Sequence, residues 1–334
     1  MLKSLYSGIS GMKGFQTKLD VIGNNVANVN TVGFKKSRVM FQDIINQNIA
    51  GASAPTAQSG GVNPKQVGLG TKIASIDTVF TPGSPMTTNV GSDLAIDGDA
   101  FFVVTPQSGS GGNYLTKAGN FSLDASGNLV NSNGFFVQGI TVEYPTEEAA
   151  AAGAMPIQHQ YPINISVDEI SNRDADGNVL KDEFGRDIEP TKFTSYSIDT
   201  NGYVNVVDEN GRSGKLAMVR DQNSPYYGLF YLNDSLGNDN ENVSLATAVV
   251  TNPGGLEKIG NTMFLDTGNS GEPNIDRIEN NKGGQINSGI LEMSNVDLTE
   301  EFTEMIVAQR GFQANARTIT TSDSILEEIV NLKR

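Results

Sequence analysis

Residues 1–30 read MLKSLYSGISGMKGFQTKLDVIGNNVANVN, and their spacing decides the fold. Leu2, Leu5, Ile9, Met12, Phe15, Leu19, Ile22, Val26 and Val29 recur at steps of three and four. That is the period of one helical face, which a strand with its period of two cannot produce. The other end of the chain repeats the rhythm through Leu298, Phe302, Met305, Gln309, Phe312, Ala316, Ile319, Asp323, Leu326 and Val330, with Gln309 and Asp323 as polar interruptions. Asp297 followed by Glu300 reads as an N-cap with its capping-box partner, which starts the second helix near Leu298. Both segments are long amphipathic helices in need of a partner.

The two ends suit each other. Isolated helices of this length gain little stability in water, so their apolar faces need cover. Residues 1–30 carry Lys3, Lys13 and Lys18 against Asp20, whereas residues 295–334 carry seven acids and four bases. Antiparallel pairing satisfies the stripes and the charges together. An ordinary reading stops there, with a helical pair docked on the chain's own body. Tyr6, Phe15, Ile22, Ile306, Ile325, Ile329 and Leu332 widen the apolar faces beyond one seam, however, and a two-helix pair cannot bury them all. Neighbouring copies of the chain are then the expected cover, and a head-to-tail contact that does not close builds a helical filament.

Between the ends the period changes. Residues 72–80, 94–104, 114–123, 128–137, 195–207 and 245–250 are short runs rich in Val, Ile, Phe and Thr. Turn clusters of one form separate many of them: Asp124-Ala125-Ser126-Gly127, Asp174-Ala175-Asp176-Gly177, Asp199-Thr200-Asn201-Gly202 and Asp208-Glu209-Asn210-Gly211. In each, Asp can accept from the backbone ahead and Gly supplies a positive φ. The expected fold is α+β: long N- and C-terminal helices paired as an antiparallel, coiled-coil-like domain (1–30 with 295–334), and a mainly-β central body (71–143 with 193–294). Residues 31–70 read as a connecting segment, with 51–61 having the Gly, Ala, Ser and Pro content of a flexible or extended linker. Residues 144–192 read as an inserted outer subdomain or loop.

Composition excludes much chemistry. The 334 residues include no Cys and one His, so thiolate metal sites, disulfides and cysteine nucleophiles are absent, and no cofactor is expected. His159 reads as an exposed loop residue. The acids from Asp174 to Asp187 do not keep calcium-loop spacing. Lys35, Lys36 and Arg38 form the one basic cluster, too short for nucleic acid and read as a salt-bridge partner for another subunit. A net charge of −15 opposes binding to nucleic acid and anionic membrane. No apolar run approaches the ~20 residues that span a bilayer. The first 23 residues lack the unbroken apolar stretch of a cleavable signal.

Motifs at both ends and near the middle carry a resemblance. Leu5-Tyr6-Ser7-Gly8-Ile9-Ser10-Gly11-Met12, then Asn24-Asn25-Val26-Ala27-Asn28-Val29-Asn30-Thr31-Val32-Gly33-Phe34-Lys35, resembles the opening of the bacterial flagellar rod and hook family. Leu94-Ala95-Ile96-Asp97-Gly98-Asp99-Ala100-Phe101-Phe102 is similar to its central Gly-rich motif, departing at Ala100 where Gly is usual. Asn295-Val296-Asp297-Leu298, Met305-Ile306-Val307-Ala308-Gln309-Arg310 and the closing Val330-Asn331-Leu332-Lys333 resemble its C-terminal end. The likeness leaves 144–239 uncovered.

The resemblance implies a structural subunit, not an enzyme, whose paired helices form an inner axial layer. It implies self-assembly through Leu2, Leu5, Ile9, Met12, Phe15, Leu19, Ile22, Val26, Leu298, Phe302, Met305, Phe312, Ile319, Leu326 and Val330. It marks Asn24, Asn25, Ala27, Asn28, Thr31, Gly33, Phe34 and Lys35 as the family motif. Implied partners are further copies in a tube, flagellar rod proteins, the hook cap and hook–filament junction proteins. The implied location is the extracellular flagellum, reached without a cleaved signal peptide. Val67-Gly68-Leu69-Gly70 with Lys72-Ile73-Ala74 resembles the hook version, a torque-transmitting curved tube; the distal rod is the alternative within the family. A secreted β-rich adhesin is the alternative outside it.

Overall fold

The computed structural model describes residues 2–55, 60–106, 112–143, 157–165, 193–209, 211–218, 230–233 and 242–332. The chain divides into two compact units, one of 1–30, 35–79 and 295–334, the other of 31–34 and 80–294. Paired terminal helices and a mainly-β body give the expected α+β fold.

The first unit holds α1 (Leu2–Ala27) and α2 (Leu298–Leu332), the two segments whose periodicity is helical. Asp297 caps α2: its carboxylate accepts from the N–H of Thr299 at 2.8 Å and of Glu300 at 3.4 Å. Between the helices in sequence lie β1 (Ser37–Asp43), β2 (Asn46–Ala50), β3 (Lys65–Gly68) and β4 (Thr71–Thr78). β1 pairs antiparallel with β4, and β2 with β3. Backbone bonds from Ile44 to Gly70 and from Leu69 to Ile45 join the two ladders into one ribbon. Across the stretch expected as a linker, Ser53 and Val62 form an antiparallel bridge. The ribbon lies on α1, where Phe41 meets Phe15 at 5.8 Å between ring centroids.

The second unit is an antiparallel β body. An eleven-stranded sheet runs through its middle, with Phe101–Thr105 and Phe136–Glu143 among its central strands. The unbroken run Phe101-Phe102-Val103-Val104 marks a strand covered on both faces. Phe102 and Val104 join one core with Leu129, Val204, Val206 and Leu216, while Phe101 and Val103 join another with Leu115, Ile140 and Phe264. A four-stranded sheet, from Phe193–Ile198 to Phe230–Asn233, supplies the far side of the first core.

Three of the expected turns form as read. Asp124, Asp199 and Asp208 each accept from backbone N–H groups ahead of them at 2.7–2.9 Å, and Gly127, Gly202 and Gly211 take positive φ. A further turn of this form at Asn131 to Gly134 uses Asn in place of Asp. The Asp174 turn lies outside the described residues, as does most of 144–192. Its described strand, Ile157–Pro162, pairs with Phe136–Glu143. His159, expected in a loop, sits half-buried on that strand opposite Thr141. Ala100, the departure from the Gly-rich motif, is fully buried and donates its N–H to the Gly283 carbonyl at 3.1 Å. The missing side chain at Gly283 makes room for its methyl group.

Candidate assembly interface

α1 and α2 run antiparallel. A Cβ on Gly8 would meet Ile319, one on Gly11 would lie 2.9 Å from Asn315 Nδ2, and one on Gly311 would lie 2.6 Å from the Phe15 ring. Further along, Lys18 pairs with Glu304 at 3.0 Å and Asn25 bonds Glu301 at 3.1 Å. On α2 the seam follows Glu301, Ala308, Asn315 and Ser322, each seven residues on, with Glu304, Gly311 and Ile319 beside it. That spacing is the 3.5-residue repeat of a left-handed helix pair. Its members are small or polar, so the two backbones approach closely and cover little apolar area.

This geometry corrects one expectation. Pairing does not satisfy the apolar stripes, because the stripe Phe302, Gln309, Ala316, Asp323 lies one residue round from the seam. Leu2 opens α1. Among the described side chains of the predicted stripes, Ile22 is the one buried, at 3% exposure. Leu5, Met12, Phe15, Leu19, Val26, Met305, Ile319 and Leu326 are half-buried, and Ile9, Leu298, Phe302, Phe312 and Val330 are exposed. Tyr6 (69%), Ile306 (58%), Val307, Ile325, Ile329 and Leu332 (86%) add to the open apolar surface. Continuing the register, the last eight residues of α2 run past the start of α1, by about 12 Å at ~1.5 Å per residue. The apolar period thus records surfaces left open. The glycines that build the seam are signalled by their position, since Gly inside a helix costs about 1 kcal/mol relative to Ala and needs a packing reason.

At the other end of the pair, four chain segments meet in a polar knot. Asn25, 1% exposed, donates to the Ser37 carbonyl at 2.9 Å and to Glu301, and accepts from the Ser37 N–H at 3.0 Å. Lys36 donates from its backbone to Asn295 Oδ1 at 2.7 Å, and from its ammonium to Glu300 at 2.7 Å. Asn295 also donates to the Val79 carbonyl at 2.8 Å. Burial pulls the Lys36 pKa down, but the hydrogen bond and charge of Glu300 outweigh it and raise the value above that of an ordinary lysine. Glu300 engages Lys36 instead of completing the capping box, so Lys36 of the basic cluster pairs within its own chain; Lys35 is buried and Arg38 exposed.

The N-terminal motif straddles both units. Asn28 bonds back to Asn24 through its side chain, and Ala27 ends α1. Thr31 accepts from the Phe34 N–H within the body unit. Gly33, with φ +69°, donates to the Glu292 carbonyl at 2.8 Å, and a Cβ there would lie 2.5 Å from the Ala118 nitrogen. The Phe34 ring carries the Lys258 ammonium 5.0 Å from its centroid. Among the described residues no helix is long and apolar enough to cross a membrane.

Comparison with known proteins accounts for these motifs. Residues 5–35 match the family described as flagella basal body rod protein, residues 95–206 the D1 domain of flagellar hook protein FlgE/F/G, and residues 287–332 the C-terminal region of flagellar basal body rod FlgEFG protein. The chain is 43% identical over 335 residues to the flagellar basal-body rod protein FlgG of Bacillus subtilis, covering all of both chains. It is 34% identical over 445 residues to the flagellar hook protein FlgE of Borreliella burgdorferi, again covering all of both. A crystal structure of the Helicobacter pylori flagellar hook protein FlgE2 aligns with a TM-score of 0.34 at 13% identity, over 62% of this chain and 100% of that one. With full-length relatives of both names, the chain belongs to the flagellar rod and hook family of axial structural proteins.

Proposed function

We propose that this chain is a hook subunit, polymerising through the open faces of α1 and α2 into a curved tube that transmits torque. The observation that carries the assembly reading is the apolar band Leu298, Phe302, Ile306 and Val307, exposed on a helix whose other side is already paired. Monomers rarely leave such a band open unless it is a contact surface. The ribbon adds Ile44, Ile45, Ile49, Val62 and Val67 to the surface available to a neighbour. The hook-like stretch from Val67 to Ala74 favours the hook. The distal rod is the second reading, favoured by the 43% identity to a protein named for the rod. In either tube, rod proteins, a cap and junction proteins are the expected neighbours, and export proceeds without a cleaved signal.

Electron microscopy of the purified, concentrated chain tests this, alongside F302D/I306D. Short curved tubes from the unaltered chain and none from the variant are expected. Straight stiff tubes favour the rod. Discrete monomers from the unaltered chain, even with a cap protein supplied, overturn the assembly reading and leave an adhesin-like binding module as the better account.

A further inference from the structure

We infer that Asn25 and Glu301 are positioning residues that fix the register of α1 on α2. Much of the seam discriminates poorly. Sliding α1 by three residues puts Gly8 in the place of Gly11, Met12 in the place of Phe15 and Leu19 in the place of Ile22. Each exchange is between small or apolar side chains, and Met is the most adaptable of them. A slide of seven is resisted by shape, since Gly8 would leave empty the space that Phe15 fills over Gly311. The three-residue slide is opposed where Leu5 would take the place of Gly8, since a Cβ there already lies 3.1 Å from Ile319 Cγ1, and again at the polar knot. There Ile22 would replace Asn25, leaving the Glu301 carboxylate, 5% exposed, without its amide donor. Losing one of the two partners of a buried carboxylate is unfavourable, and one buried polar contact is a recognised means of selecting register in a helix pair.

Asn25 is bound at the same time to both backbone groups of Ser37 at the start of β1. The register of the helices is thereby locked to the root of the ribbon. Glu301 is held from its other side by Lys36, 3.8 Å from its second oxygen. The consequence is a fixed overhang of α2 beyond α1. Ile325, Ile329 and Leu332 are then presented to a neighbour at one height, where a slide of three would move that edge by about 4.5 Å at ~1.5 Å per residue. This consequence for assembly rests on the polymer reading above; the register claim does not.

The chain has no cysteine, so introduced pairs report register without background. Lys18→Cys is combined with Glu304→Cys for the observed register, or with Glu300→Cys or Val307→Cys for slides of one turn either way. The pairs are joined in the full-length chain by a short bis-maleimide, and the linked peptides are quantified by mass spectrometry. With Asn25 and Glu301 intact, the 304 pair should exceed the others at least tenfold. In an N25L/E301M background that ratio should fall at least threefold with helical circular dichroism retained, whereas E301Q, which keeps an acceptor for Asn25, should preserve it. Moving the polar residue back one turn, in I22N/N25I, should transfer the dominant link from 304 to 300, which keeps the test decisive if N25L/E301M loses its helices. A link that stays at 304 after the move, an unchanged ratio in a folded N25L/E301M, or equal yields from all three pairs in the starting background overturns the inference. None of these readouts requires tube formation, so they stand apart from the outcome by microscopy.

Discussion

The two units handle apolar surface in opposite ways. Of the large apolar side chains that are exposed among the described residues, nineteen lie in the helix-and-ribbon unit and four in the β body. Of the buried apolar side chains among the described residues, only Ile22 and Ala308 belong to the helical unit. The body is a closed fold, with a two-faced central strand and a core on either side of it. The helical unit is an open one, since a seam of Gly, Ala, Ser and Asn draws two backbones together but covers little. Burial at about 25 cal/mol per Å² cannot stabilise a surface that stays in water. On the assembly proposed above, further copies would supply the missing side and the rest of the unit's stability.

The sharpest way to break this comparison is to delete the same side chain in each unit. Phe102 is completely buried, and Phe102→Ala should destabilise the body by about 3–5 kcal/mol in denaturant titration. Phe302, half exposed on α2, should change the stability of the free chain by less than about 0.5 kcal/mol. Phe302→Ala should instead raise the concentration at which tubes appear, measured by sedimentation. Equal losses of stability from both variants would mean that the helical unit is as closed as the body.

A smaller effect probes where one unit gives way to the other in sequence. Gly33 belongs to the body and combines a left-handed backbone with a neighbour that leaves no room for a side chain. Gly33→Ala should cost about 1–3 kcal/mol from backbone strain, with the Ala118 overlap adding to it. The loss should appear in the unfolding of the β body and leave the helical signal of α1 and α2 largely intact. A matching loss of helix would show that the two units unfold together.

The contrast also explains what could be read in the sequence. Helix and strand periods, the Asp-to-Gly turns and the Asp297 cap were legible because each is local: a few neighbouring residues specify it. The seam was not. The strongest apolar period on α2 runs through Phe302 and Leu326, one residue round from Glu301, Ala308, Asn315 and Ser322, on a face this chain leaves open. A contact made of small residues leaves no hydrophobic signature, and Gly8, Gly11 and Gly311 betray it only as helix-weakening residues placed where a helix persists. The Asn25–Glu301 bond joins residues 276 apart, and nothing local in either segment announces it. The ribbon was hidden for a related reason: the pairing of β2 with β3 joins segments on either side of 51–61 and leaves no mark in that stretch's composition.

The smallest expected effect is one of pH, and it treats both units by the same chemistry. Backbone N–H groups of Thr299 and Glu300 hold the Asp297 carboxyl below its ordinary pKa at the start of α2. In the body, the side-chain amide of Asn128 foremost does the same for Asp124 at a hairpin turn. Each folded value is depressed, so each carboxylate stabilises its element above the ordinary Asp range near about 3.9 and loses that contribution as pH falls through the lower folded value. Asn accepts the same backbone bonds without titrating. Asp297→Asn should therefore remove part of the acid-induced loss of helical circular dichroism, whereas Asp297→Ala should show less helix at neutral pH and a shallower fall on acidification. Asp124→Asn should leave the helical titration unchanged and alter only the acid limb of body unfolding. The helical unit has little buried apolar area to buffer a lost cap, so the same chemical change should register as a larger fraction of its stability than of the body's. Identical acid titrations of the Asp297→Asn variant and the unaltered chain would show that α2 is held by its seam and not by its cap.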